Sequence, residues 1–351
     1  MKERNSNIEL LRLCSMMMIM VLHFLGHSRY IGGNIFSADV LIWNLMESLC
    51  ISSTAIFVLI SGYFGINFKI KGILKLYLSC AAWGIVGYVI YCSCANTPPA
   101  GLMKLFARLM PFTHGKWWFI ITYLELYFLS PILNAAIEMF DKRKHMIAII
   151  IFCFVTLYMG YCRETGEDTW GTSLSHFLWL YLIARYINRY INLQSIRKYR
   201  WIWLIVFATS VLVTFVLSII GIKYSVPLCL RAYPYNSPWN TIAAISALLF
   251  ALSFSFNNKT INWFASSSLS CYLFQEHLYF GPQVFYPIVG GWLLNLPIYG
   301  HYAILFPLAI AFMIPVMLVD KLWDVLLYKP ILTVYDRLYE RFVPLSLRKV
   351  F

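Results

Sequence analysis

IELLRLCSMMMIMVLHF, residues 8–24, has the apolarity of a membrane-crossing helix, yet it carries Glu9 and Arg12 near its start and His23 near its end. A charge inside a bilayer costs about 2.5–3.5 kcal/mol on insertion scales and less near an interface. A chain that keeps one there turns it into a helix bundle, pairs it, or uses it. At about 100° per residue, the eleven steps from Arg12 to His23 make three turns plus about 20°. Both side chains therefore share one helix face, about 16 Å apart along the axis. Glu9 lies three residues before Arg12, on the same side, and can pair with it. Met16, Ile19 and Met20 occupy the face between. Snorkelling accounts for Arg12, and an interhelical hydrogen bond accounts for His23, without any chemistry. A polar track down the inside of a bundle accounts for both at once.

Composition extends the membrane reading to the whole chain. Of 351 residues, 60% are hydrophobic and only 12% charged, about half the charged share of a soluble domain. Apolar runs recur at 8–27, 46–65, 73–92, 118–139, 146–162, 174–192, 201–221, 239–256, 268–288 and 302–327. The expected fold is all-α, a polytopic membrane helix bundle of about ten spans. Lys and Arg concentrate on the connections that would share the N-terminal side, so both termini are expected to be cytoplasmic. The net charge of +13 fits this bias and attraction to anionic membrane lipid, with no nucleic-acid partner implied. The reading assigns no metal ligands. Most of the nine cysteines sit in apolar runs, as small buried hydrophobes do; a bridge from Cys92 or Cys94 to Cys162 is the one pairing considered. The sequence divides into a membrane domain at 1–327 and a cytoplasmic amphipathic tail at 328–351.

Several residues outside the first span are candidates. Arg231 sits among Tyr224, Tyr233, Tyr235 and Trp239, a mixture that suits stacking on and hydrogen bonding to sugar rings. Aromatic residues are also the ordinary content of membrane interfaces. Trp117 and Trp118, after a connection holding Pro98, Pro99, Pro111, His114 and Lys116, allow the same two readings. Glu125 lies inside the fourth span and is expected to find a partner in the bundle. His145 reads as part of a charged connection and His301 as the start of a span. Ser61-Gly62 and Ser130-Pro131 read as packing and kinking devices.

Four stretches taken in order carry a family likeness. NIELLR (7–12), followed by an apolar run and His23, resembles the start of the acyltransferase family 3 membrane proteins, where ten residues separate an Arg and a His on the first span. FVLISGYF (57–64), KWWFIITYLELYFLSPIL (116–133) and SSLSCYLFQEH (267–277) resemble three later elements of that family. The resemblance implies ten spans in a bacterial plasma membrane. It also implies acyl transfer, acetyl most often, from acyl-CoA as co-substrate, with no bound cofactor, to a hydroxyl of a surface polysaccharide or lipid-linked glycan. His23 is then the expected general base, with Arg12 orienting a polar group of the donor. Lys69, Lys71, Lys75 and Arg12 would hold donor phosphates, and Trp117, Trp118 and Arg231 the acceptor. Two departures stand out. The family's Arg-x-x-Arg element is here NFKIKGILKLY (67–77), which offers lysines as point charges without the guanidinium fork. The family's late Tyr-Leu-x-His would place His at position 275, where this chain has Gln275, with Glu276 and His277 after it. A non-enzymatic carrier of lipid-linked sugars, polysaccharide or small solutes is the alternative; visible repeat halves, which such carriers often have, are absent from the sequence. Oligomeric state is not legible.

Overall fold

The computed structural model describes the chain apart from residues 1–4, 29–33, 95–108, 115–116, 164–167, 169 and 343–351, and the regular elements among the described residues are all helical. The main helices are α1 (Ser6–Ser28), α2 (Ala38–Cys50), α3 (Ser53–Phe64), α4 (Ile70–Cys94), α5 (Trp118–Met139), α6 (Lys142–Cys153), α7 (Leu174–Tyr190), α8 (Arg200–Tyr224), α9 (Pro238–Leu252), α10 (Lys259–Ala265), α11 (Ser268–Gln275), α12 (Tyr286–Leu294), α13 (Ile298–Trp323) and α14 (Lys329–Phe342). Among the described residues, seven helical segments are long and apolar enough to cross a membrane: 6–27, 38–64, 70–94, 118–139, 142–161, 200–224 and 298–342. The chain is a multi-pass membrane bundle.

The remaining expected spans take other forms. α7 has 17 residues, and α9 is apolar but shorter still, with 15. The 268–288 run breaks in two. α11 ends at Gln275, a π-helical turn covers Gly281–Phe285, and α12 follows. Pro282 supplies no backbone N–H and so fits the first turn of this new helical segment, where no donor is needed.

α1 is the hub. It packs against α2, α3, α9, α10, α11, α12 and α13, and Met16, Met20, Val21, Phe24 and Leu25 are buried. A helix surrounded on this scale has no need of a polar stripe facing water. Its first turn is pinned from across the chain: the Asn258 N–H donates to Ser6 Oγ (2.7 Å), and Asn7 Nδ2 donates to the Ala251 carbonyl (2.9 Å).

Small residues set two of the close approaches. A Cβ on Gly62 would stand 2.8 Å from Ala184 Cβ and 3.1 Å from the Tyr181 backbone, so α3 and α7 meet only because position 62 has no side chain. A Cβ on Gly87 would stand 2.6 Å from the His277 ring. Pro131 leaves the Tyr127 carbonyl without its helical donor, and Ser130 Oγ donates to that carbonyl at 2.7 Å. The packing and kinking roles expected for Ser61-Gly62 and Ser130-Pro131 match this geometry.

Other expectations need correction. Glu125 is exposed on the flank of α5 that also exposes Phe128, Leu129 and Ile132. These residues are three, four and seven positions on, one helical face, and this face turns away from the core. His145 is not a loop residue. It is buried, with Nε2 3.0 Å from the Leu182 carbonyl. His301 does stand in the first turn of α13, as expected, and is buried there, with Nδ1 3.1 Å from the Leu293 carbonyl. The bridge considered for Cys162 does not form, since the cysteines are free and Cys92 is buried. Pro98, Pro99, Lys116 and the last nine residues of the expected tail lie outside the described residues, and nothing is described of the His114 side chain. The remainder of the tail is α14, which follows α13 through a π-helical turn at Asp324–Tyr328.

Candidate functional site

The face predicted for α1 exists. Positions 12, 16, 19 and 23 follow at steps of four, three and four, the spacing of one helical stripe. Met16, Ile19 and His23 line a partly open pocket whose empty space, its mouth included, is about 380 Å³. Thr54 and Phe57 of α3 close one wall, and Leu269 and Tyr272 of α11 another. Trp118 and Phe119 of α5, with Tyr235, complete it. The two sides of this aromatic wall brace each other: Trp118 and Tyr235 stack with centroids 5.3 Å apart, while Phe119 meets Tyr272 edge-on at 6.2 Å.

His23 is held by one ring nitrogen. Its Nδ1 lies 2.8 Å from Gln275 Nε2 and 3.5 Å from Glu276 Oε1. Amide nitrogen and oxygen exchange places by a half-turn, and each orientation matches one imidazole tautomer. An amide N–H pointing at Nδ1 places the ring proton on Nε2. An amide oxygen there accepts from Nδ1–H and leaves Nε2 with its lone pair. The neighbouring carboxylate favours the second arrangement, because it attracts a donor at Nδ1. Glu276 is fixed in turn by the Tyr286 hydroxyl, which donates to Oε1. His27 Nε2 stands 3.8 Å from the same oxygen, and the His27 ring stacks on Tyr286 with centroids 4.5 Å apart.

Arg12 lies at the other end of the stripe. Its guanidinium donates to Glu9 Oε2 at 2.6 Å, and Glu9 is only 5% exposed. Its charge also reaches the Tyr123 hydroxyl, which donates to Ser61 Oγ at 3.3 Å. Arg12 is therefore a bundle-interior ion pair with polar neighbours on α3 and α5.

Membrane spans, an Arg–Glu pair with its carboxylate buried, and a histidine held by an amide and a carboxylate at a partly open pocket are now in view together. A family model described as an acyltransferase domain matches residues 5–319. The chain belongs to acyltransferase family 3. No curated protein and no solved structure matches it. Family membership makes the chain a membrane acyltransferase, and the remaining site residues can be placed within that chemistry.

Trp118 lines the cavity, whereas Trp117 is 4% exposed and meets the His277 ring edge-on at 6.4 Å, away from the lining. Arg231 donates to the Arg163 carbonyl and lies over the Tyr161 ring at 5.4 Å, also outside the lining. Lys71 Nζ is 2.6 Å from Asp336, and Lys75 Nζ is 2.7 Å from Asp324. Lys69 is exposed, and its backbone N–H donates to the Tyr127 hydroxyl. His277 does not replace the missing histidine. Its Nε2 donates to the Gly84 carbonyl (3.0 Å) and its Nδ1 accepts from the Phe280 N–H (3.1 Å), which ties the end of α11 to α4. Gln275 occupies the place instead, against His23.

Sequence reasoning did not raise His27, Tyr286 or Thr54, and it noted Glu276 and the motif tyrosine Tyr272 without giving either a role. His27 had a signal, because His23-Phe24-Leu25-Gly26-His27 is an i, i+4 pair on one face. Among the described residues no third side chain joins that pair to make a metal site. Glu276 had a weaker signal, as an acidic residue at the break of an apolar run.

Proposed function

We propose that this acyltransferase moves an acyl group, acetyl first among the candidates, from cytoplasmic acyl-CoA to a hydroxyl of a surface polysaccharide or lipid-linked glycan on the far side of the membrane. In this reading the chain crosses the bilayer ten times, both termini are cytoplasmic, and the host is a bacterial plasma membrane. The observation that carries it is the position of His23. It opens onto the cavity on the same α1 face as Arg12, and its Nδ1 is engaged by Gln275 and Glu276.

The donor's phosphates stay at the cytoplasmic face, since their charge bars them from the bilayer interior. Lys69, Lys71, Lys75 and Arg12 are the cations assigned to them. Two of these lysines already hold carboxylates, so the donor competes with Asp336 and Asp324 there. The slim thioester arm follows the stripe past Arg12, Met16 and Ile19. Trp118 and Tyr235 offer the acceptor sugar two flat apolar faces. This pair is better placed than Trp117 or Arg231, which stand outside the lining.

His23 Nε2 removes the hydroxyl proton while the acceptor oxygen attacks the thioester carbonyl carbon. The C–O bond forms, the C–S bond breaks, and the proton passes from His23 to the departing sulfur. Imidazole suits this double duty because its ordinary titration lies close to working pH.

The test is transfer from labelled acetyl-CoA by purified protein in sealed vesicles, with wild type and His23→Ala compared at equal folded amounts. A positioned general base contributes about 10²–10⁴-fold, so the variant should lose at least about a hundredfold. Undiminished transfer by His23→Ala removes this mechanism. If the wild type leaves labelled acetyl-CoA intact, acetyl is not the donor group.

A further inference from the structure

His23 and His27 lie one helical turn apart on α1, and a single carboxylate oxygen faces both. Glu276 Oε1 is 3.5 Å from His23 Nδ1 and 3.8 Å from His27 Nε2. The two rings are themselves 6.1 Å apart. Their surroundings differ. The His23 side chain is 19% exposed and lines the cavity, while His27 is 44% exposed. Tyr286 holds the carboxylate by its hydroxyl and the His27 ring by stacking. A single side chain of α12 therefore fixes both partners of the contact.

We propose that Glu276 joins His23 to His27 as a histidine–carboxylate–histidine relay, through which protonation of His27 at the solvent side sets the protonation state of His23 inside the cavity. The consequence for catalysis rests on the acyltransferase reading above. His27 and Glu276 are positioning residues, since neither is assigned contact with substrate.

The physical basis is the sharing of one charge between two sites. With His27 neutral, Glu276 serves His23 alone and orients its Nδ1–H. With His27 protonated, the same oxygen faces a second cation, and the two imidazolium charges repel each other across about one helical turn. Sites coupled in this way titrate as a pair, in steps that belong to neither ring alone. The other titratable groups facing the trio are Tyr272 of α11, Tyr286 of α12 and Tyr235. Glu47 of α2 acts on Tyr235 from behind. The tyrosines ordinarily titrate above the range where imidazoles do, and Glu47, which reaches the trio through Tyr235, is unchanged in His27→Phe, so a step that disappears in that variant belongs to the histidine pair.

The experiment is a titration of the full-length protein, labelled with ¹⁵N-histidine, in detergent micelles over about pH 5 to 8. The His23 signal is assigned by its loss in His23→Gln. In wild type, the His23 curve should show two steps, one coincident with the His27 step. His27→Phe keeps a ring for Tyr286 to stack on but cannot titrate, and Glu276→Gln keeps both histidines without the carboxylate; each should leave His23 with a single step. On the acid side of the transfer-rate profile, the half-loss of rate should come at a higher pH in His27→Phe than in wild type, because no second cation then opposes protonation of His23. Superimposable His23 curves in wild type and both variants overturn the relay. Coupled titration in a protein that transfers no acyl group upholds the relay and overturns the acyltransferase chemistry. Transfer without coupling does the reverse.

Discussion

Asp324 lies between two lysines. Oδ1 is 2.7 Å from Lys75 Nζ on α4, and Oδ2 is 3.1 Å from Lys329 Nζ on α14. One helical turn further along, Lys71 reaches Asp336 at 2.6 Å. The lysines proposed for the donor phosphates thus also fasten the C-terminal helix.

That double use predicts competition. Asp336→Asn should free Lys71 and lower the donor KM about two- to threefold, while the exposed pair itself is worth no more than about 1 kcal/mol to the fold. Adding salt should shrink the difference, because exposed charges are screened. Donor KM measured for both proteins at low and high salt checks this. An unchanged KM removes Lys71 from the donor site and leaves it a fastener of α14.

Gln275 should matter through His23 alone. Gln275→Ala removes the 2.8 Å contact at Nδ1 and leaves Glu276 to orient the ring. The expected result is about a tenfold drop in kcat with donor KM unchanged, since an interaction felt at the base affects the transition state more than donor binding. Gln275→His restores the histidine of the family pattern and should recover part of the loss. A rise in donor KM with unchanged kcat would place Gln275 in binding rather than in positioning.

These two cases show where the sequence was readable. The α1 stripe was legible because 3.6-residue periodicity alone fixes which side chains share a face. The partners of that stripe were not. Gln275 and Glu276 lie where α11 ends, with Glu276 already off the helical backbone at φ −91°, ψ 21°, so periodicity stops at the point where it was needed. Lys75 and Asp324 are 249 positions apart, and nothing local announces such a pair. Glu125 shows the converse error. A polar residue in an apolar run suggests an inward face, but on α5 the stripe with Phe128, Leu129 and Ile132 points out. Family resemblance supplied the order of the motifs, and the geometry then chose Trp118 over Trp117 for the cavity wall.

Trp118 and Trp117 should therefore separate experimentally. Trp118→Ala removes one member of the Trp118–Tyr235 stack from the lining. An aromatic contact of about 0.5–1.5 kcal/mol predicts a two- to tenfold rise in acceptor KM, with thioester hydrolysis in the absence of acceptor preserved. Trp117→Ala leaves a hole beside His277 and should cost about 3–5 kcal/mol of stability, as large core truncations do. Acceptor KM and thermal unfolding, measured on both variants, should show the two effects in different proteins. Equal effects on acceptor KM would mean that both rings meet the glycan.

Asp168 carries a pH dependence that is independent of catalysis. It lies in the connection before α7 and is buried, and burial raises its carboxyl above the usual aspartate value, while hydrogen bonds from Ser173 and Ser175 oppose that rise. An acid whose folded pKa lies above its unfolded one stabilises the fold fully below the unfolded value and loses that contribution as pH rises through the folded one. Wild-type stability should therefore decline as the pH climbs above the ordinary carboxylate range, toward neutrality. Asp168→Asn keeps an oxygen to accept the Ser173 N–H and carries no charge to bury. Its melting temperature should be flatter with pH and at neutral pH equal to or above that of wild type. A variant that melts well below wild type at neutral pH would show that the hydrogen bonds outweigh the burial.

The Gly62 crossing gives the most direct test of the architecture. Because a Cβ there would stand 2.8 Å from Ala184 Cβ and 3.1 Å from the Tyr181 backbone, Gly62→Ala must push α3 away from α7. Overpacking of this kind costs about 1–3 kcal/mol. The displacement should also reach the cavity, because Thr54 and Phe57 sit on the same helix and form one of its walls. Gly62→Ala should lower the melting temperature and reduce kcat together, whereas Ala184→Gly in the same chain should restore part of both by removing the 2.8 Å contact and leaving those to the Tyr181 backbone. Rescue of stability without rescue of turnover would separate the α3–α7 contact from the cavity wall and assign Gly62 to folding alone.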